Sequence, residues 1–302
     1  MKHWRALLCG LALIGPAALA GTPDDVDLPD ASIHIVRSGN ADAPDIAVLR
    51  NWISDAATAV RTYYGQFPVR RLRIIVQPLE GLGVRTGTTY AFHIATIRVS
   101  VGRDSGDADL LSDWIMTHEM VHLAMPQFAD RHAWLEEGLA TYVEPIARAQ
   151  AGQLSEEKVW GDMFDDMSKG LPLADDRGLD NTSSWGRTYW GGAMFYLLAD
   201  VQIRERTANR LGLQDALRAI VAAGGSHLAA WEVDRTLAIG DEATGTTVLT
   251  DLYREMRDEP TAPDLADLWR RLGVDKRKGQ VILDDDAALA DIRRAITRRP
   301  AG

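Results

Sequence analysis

Residues 118–122 read His118-Glu119-Met120-Val121-His122, and residues 134–142 read Trp134-Leu135-Glu136-Glu137-Gly138-Leu139-Ala140-Thr141-Tyr142. The first stretch has the form HExxH. On a helix, residues four apart share a face, so both imidazoles reach one cation. Glu119 sits one step round and reaches a water beside that cation without being a ligand. Two neutral nitrogens, an open position and an adjacent carboxylate base suit zinc hydrolysis. A third protein ligand is then required. The metzincin spacing would put Gly three residues and His six residues after His122, but those positions hold Met125 and Phe128, which excludes that class. A carboxylate on the following helix remains, with Glu136 and Glu137 as the two candidates. Antiparallel packing of the two helices across a short loop would bring one of them to the metal.

The pattern around this motif sets the fold class. From Asp109 the apolar and histidine positions Leu110, Leu111, Trp114, Ile115, His118, Val121 and His122 recur at helical intervals. Pro126 ends that helix, and a second helix is expected over 134–150. Upstream, 32–37 and 69–77 read as strands, 45–64 as an amphipathic helix, and 88–101 as a long strand or hairpin closed by a turn at 102–107. Residues 21–30 read as a loose acidic leader. Downstream, helices are expected near 156–168, 187–205, 213–223, 249–257, 263–272 and 286–298. Asp284-Asp285-Asp286 reads as a charge cluster at the N-terminus of the last of these, with Arg293, Arg294, Arg298 and Arg299 complementing its other end. Strands first and helices later is an α+β pattern. The expectation is one domain over 21–302, with a sheet and zinc-helix lobe (21–150) and a mostly helical lobe (151–302).

HExxH followed by Trp-Leu-x-Glu-Gly-x-Ala-x-Tyr resembles the gluzincin metallopeptidases, in particular the group of aminopeptidase N and leukotriene A4 hydrolase, and the bacterial peptidase-MA-like domains. The resemblance is confined to about 113–144 and 185–198. It implies a thermolysin-like zincin holding one Zn²⁺. In that pattern the Glu just before the Gly is the third ligand, so the metal set becomes His118, His122 and Glu137, with Glu119 as base and Glu136 beside the site or facing solvent. Arg187-Thr188-Tyr189-Trp190-Gly191-Gly192-Ala193 is similar to the family's Tyr-x-Lys-Gly-Ala stretch. That similarity gives Tyr189 the role of oxyanion donor, although Gly191 stands where Lys is usual. Tyr189 also reads as part of an aromatic core with Trp185, Trp190 and Tyr196. Fourteen residues separate His122 from Glu137, fewer than in the aminopeptidases. The Gly-Ala-Met-Glu-Asn motif that holds a substrate amino terminus is replaced by Gly87-Thr88-Thr89-Tyr90-Ala91, which has no carboxylate. The resemblance implies that this strand lends its edge to an extended substrate, with Gly87, Thr88 and Tyr90 as substrate-binding positions. His132 reads as an exposed loop histidine, and His34, His93 and His227 carry no ligand spacing.

Composition limits the partners. The chain has 302 residues, 46% hydrophobic and 25% charged, with a formal charge of −10. Such an acidic chain without a basic block is repelled by nucleic acid and anionic lipid. Lys2 and Arg5, the apolar run from Ala6 and the Ala18-Leu19-Ala20 site read as a secretory signal cleaved after Ala20. Cleavage removes two positive residues and takes −10 to −12. The one cysteine, Cys9, would leave with the signal, so metal must be held by His and carboxylate. The expected product is a secreted or periplasmic zinc peptidase acting on peptide or protein substrates, without membrane insertion. A peptidase-like binding module and a zinc hydrolase of a non-peptide substrate are the alternatives.

Overall fold

The computed structural model describes residues 24–38, 43–91 and 93–299; the expected signal segment lies outside the described residues. A mixed α/β architecture results, with a five-stranded sheet and an extensive helical part. The strands are β1 (Asp25–Asp27), β2 (Ser32–Arg37), β3 (Arg71–Leu79), β4 (Val84–Ala91) and β5 (Ala95–Gly102), in the order β1-β2-β3-β5-β4. Strands β2, β3 and β5 run parallel, while β1 and β4 pair antiparallel with β2 and β5. Buried alternate residues (Leu72, Ile74 and Val76 on β3; Ile97, Val99 and Val101 on β5) supply the sheet's part of the core. The helix α1 (Ile46–Tyr64), capped by Asp45 through a 2.7 Å bond from Ala47 N, buries Leu49, Trp52, Ile53 and Val60. It packs against the helices that carry the HExxH and Glu136-Glu137 residues.

Those helices are α3 (Ile115–His122) and α4 (Ala133–Gln150), preceded by the short α2 (Asp107–Leu110). The remainder is α5 (Glu156–Asp166), a π-helical turn (Gly186–Gly191) running into α6 (Gly192–Arg206), α7 (Leu213–Ala222), α8 (Val233–Thr244), α9 (Val248–Arg257), α10 (Leu265–Leu272), a hairpin of β6 (Val274–Arg277) and β7 (Gln280–Leu283), and α11 (Ala290–Thr297). One apolar cluster runs from Ile33 in the sheet through Met120 and Leu139 to Phe195 and Ile296. Among the described residues, no helix is long and apolar enough to cross a membrane.

Several expectations are corrected. The leader is ordered where β1 pairs with β2, and His34 Nδ1 lies 2.6 Å from Asp25 Oδ1. The segment from Asp109 to His122 is two helices rather than one. Asp113 accepts from Ile115 N at 3.1 Å and Met116 N at 3.0 Å, which caps a new start. The interruption leaves Leu111 and Trp114 76% and 51% exposed. The hairpin β6–β7 and helix α8 were not foreseen. The Asp284–Asp286 cluster precedes α11 instead of opening it, and Asp285 pairs with Arg293 and Arg294 from outside the helix.

Candidate metal centre and active-site cleft

Helices α3 and α4 bring together His118, His122 and Glu137, whose ligand-capable atoms all lie within 4.8 Å of one another. Glu137 Oε2 is 3.2 Å from His118 Nε2 and 3.5 Å from His122 Nε2. Donors bound at ~2.0–2.1 Å in a tetrahedron stand roughly 3.3–3.4 Å apart, so these separations suit one zinc-sized ion and a mixed nitrogen and oxygen donor set. Burial raises the Glu137 carboxyl, but its hydrogen bonds to the two imidazoles outweigh that and hold it well below the usual carboxylate range. Burial lowers His118, which favours the neutral, lone-pair-bearing ring a metal needs. At His122 burial also lowers the ring, but the Glu137 carboxylate outweighs it and the net shift is upward.

The backbone fixes how α4, which carries Glu137, meets the segment that carries Tyr189. A Cβ on Gly138 would come within 2.3 Å of Gly192 Cα, and one on Gly192 within 2.1 Å of Trp134 O. Helix α4 and the start of α6 therefore meet backbone to backbone, a crossing open only to glycine. The same contact seats the π-helical turn that carries Tyr189; such turns recur where a helix must re-aim a functional side chain. Beneath it, the buried Arg187 forms an ion pair with Asp176 (Nε to Oδ2 2.8 Å), and donates from Nη2 to Asp176 Oδ1 at 3.4 Å and from Nη1 to Gly170 O at 2.5 Å. The Tyr189 ring stacks on His118 at 6.3 Å. Its phenol is pushed up to about 12, by burial first and then by the charge and hydrogen bond of Glu137, so it remains an O–H donor at neutral pH. Trp185 stacks on its other side at 5.9 Å. Tyr189 is thus half-buried beside His118 and Glu137, not enclosed in an aromatic core, whereas Tyr196 is buried and donates to Leu135 O at 2.9 Å.

Glu119 is 7% exposed and points toward the sheet edge. Thr89 Oγ1 lies 2.7 Å from its Oε2 and 2.8 Å from its backbone oxygen. A Cβ on Gly87 would stand 2.5 Å from Glu119 Cγ and 2.9 Å from Oε1, so the missing side chain leaves room beside that oxygen. Gly87, Thr88 and Thr89 line a cleft of about 440 Å³ together with the three cluster residues, Glu119 and Tyr189. Tyr90 is not among the lining residues; its ring lies 5.2 Å from the Arg98 guanidinium on the neighbouring strand. Strand parity, which groups Gly87 with Thr89, is the signal that would have found Thr89.

Other residues missed in the sequence also line the cleft. Trp114 meets the His118 ring edge-on at 5.4 Å. His227, from the loop before α8, is lowered to about 4 by burial and by His122 and has no spacing signal in the sequence, whereas Trp114 stands four residues before His118. Glu136 accepts from Phe128 N at 3.1 Å and so pins the loop between α3 and α4. Burial raises its carboxyl. His132, expected to be exposed, is 5% exposed and pairs with Asp180 at 2.9 Å, an anchor shared with Trp134 Nε1 at 2.7 Å.

No protein-family model matches the chain, and no curated protein matches it. Solved structures do. An aminopeptidase N family protein from Idiomarina loihiensis aligns over 83% of this chain and 49% of its own, with a TM-score of 0.59 at 13% identity. An M1 zinc metallopeptidase from Deinococcus radiodurans aligns over 80% and 52%, with a TM-score of 0.50 at 17% identity. The chain shares its fold with these metallopeptidases and spans about half the length of each.

Proposed function

We propose that this chain is a zinc-dependent peptidase, secreted or periplasmic, that hydrolyses peptide bonds by attack of water. In this reading His118, His122 and Glu137 hold one zinc ion, and the sheet lobe and helical part form a thermolysin-like zincin. When bound, zinc would lower the pKa of a water toward neutrality and polarise the substrate carbonyl. The chain's own groups do the rest. Glu119 takes the proton of the attacking water through Oε1, the oxygen beside Gly87, while Thr89 fixes Oε2. It then returns that proton to the leaving amine. The Tyr189 hydroxyl donates to the oxygen on which negative charge develops, where a preorganised donor acts without reorganisation cost. Strand β4 is an edge of the sheet. In this reading the backbone groups that β4 turns away from β5 near Gly87 and Thr88 pair with an extended peptide, giving affinity with little sequence preference.

The observation that carries the reading is the convergence, in one cleft, of three ligand-capable groups within 4.8 Å of one another, a buried carboxylate and a protonated phenol. The names of the solved structures that share the fold support it. The test is turnover of an internally quenched peptide library by the purified protein. Cleavage should require zinc, stop with chelator, and vanish in Glu119→Gln while zinc stays bound. Stoichiometric zinc without any cleavage would remove the peptidase reading.

A further inference from the structure

Beside the cleft, and sharing Trp114, His118 and Tyr189 with it, lies a second cavity of about 580 Å³ between α4, α5 and the Tyr189 turn. We propose that this cavity receives a bulky aromatic or aliphatic side chain next to the scissile bond and makes it the protein's main specificity determinant. This rests on the peptidase reading above.

The walls are mostly apolar. Met163 and Met167 line the cavity from α5 and the turn after it, with Trp185 and Trp190 across from the α4 residues. Methionine adapts its shape to a flat ring. Trp114 and Trp185, which border it, are 51% and 61% exposed, an amount of aromatic surface that a folded chain normally buries unless something docks there.

Charge argues against a charged occupant. Three acids border the cavity, and each already has a cation: Glu144 with Arg148 at 2.9 Å, Asp162 with Lys158 and Asp166 with Lys169. A lysine or arginine side chain would have to displace an existing partner, and a substrate carboxylate would meet only cations that are already paired. The Lys169 ammonium itself lies 5.8 Å from the Trp185 and Trp190 ring centres, so it is already occupied by the wall.

Two measurements test this. The first is kcat/KM for quenched peptides that differ only in the residue on either side of the scissile bond (Ala, Leu, Phe, Trp, Lys, Glu). Phe, Trp or Leu should exceed Ala by about tenfold or more, with Lys and Glu no better than Ala. That ratio should fall toward one in Trp185→Ala, which removes an exposed wall of the cavity, and in Met163→Trp, which fills it. The second needs no turnover: the zinc-loaded protein should bind phenylalanine hydroxamate about tenfold or more tightly than glycine hydroxamate. Where peptides are cut, the peptide ratio decides; where none is cut, the hydroxamate ratio decides, and the peptidase reading fails separately. A ratio near one, a preference for Lys or Glu, or a bulky preference undiminished in Trp185→Ala overturns the proposal.

Discussion

At the scale of single residues, the expected chemistry depends on how neighbours hold two polar groups, the Glu119 carboxylate and the Tyr189 hydroxyl. Glu119 is clamped on one oxygen by Thr89 and left clear on the other by Gly87. Gly87→Ala should therefore push the carboxylate aside and lower kcat by an order of magnitude or more, since misplacement by about 1 Å costs roughly a hundredfold. Zinc content should not change, because the atoms nearest the added methyl belong to Glu119 and Ile115 and not to His118, His122 or Glu137. Tyr189→Phe keeps the ring that stacks on His118 and removes only the donor, so kcat should fall about a hundredfold or more. Normal turnover in that variant would return Tyr189 to a packing role. The HExxH residues were legible because helical spacing alone puts both imidazoles on one face. Thr89 was missed although strand parity groups it with Gly87, and the exposure of Trp114 was missed because it depends on a helix break at Asp113 that only the folded chain shows. His132 was misread for the same reason: its partner Asp180 is distant in sequence.

Among the elements, the decisive contact is the glycine crossing of α4 and α6. Gly138→Ala introduces a methyl group where backbone already stands, and overpacking of this kind costs about 1–3 kcal/mol. The denaturation midpoint should drop, and activity should drop with it, because Glu137 and Tyr189 ride on the two crossing segments. An unchanged midpoint would show that the helices separate easily. Glu144, on α4, gives a pH-dependent test. Burial outweighs Arg148 and pushes its carboxyl up from 4.5 to about 7. Between those values the folded state holds a proton that the unfolded state has released, so this group makes stability fall as pH rises from about 4.5 through 7. Glu144→Gln should flatten that part of the stability profile, by at most on the order of 3 kcal/mol, as read from unfolding midpoints at pH 5 and pH 8. Element positions were largely readable from periodicity, as with α1, α4 and β2. The π-helical turn and the β6–β7 hairpin were not, because both arise from tertiary packing: the first against Gly170 and α4, the second against α5.

Across the whole molecule, the order of strands then helices indicated a sheet part and a helical part, but not the sheet's mixed topology. Parallel pairing of β2, β3 and β5 brings together segments far apart in sequence, and periodicity carries no record of such partners. That topology leaves β4 at the open edge, facing α3, and so decides where a peptide would lie. The fold also brings two histidines of α3 and one glutamate of α4 to a common point, and the proposed function depends on that point holding a metal. Metal content of the purified protein at neutral pH, compared with that of Glu137→Ala and of His122→Ala, tests it most directly. One zinc per chain in the wild type and loss of tight zinc binding in both variants is the expected result. A wild-type protein that takes up no zinc, or a Glu137→Ala variant that binds it as tightly as the wild type, would contradict it.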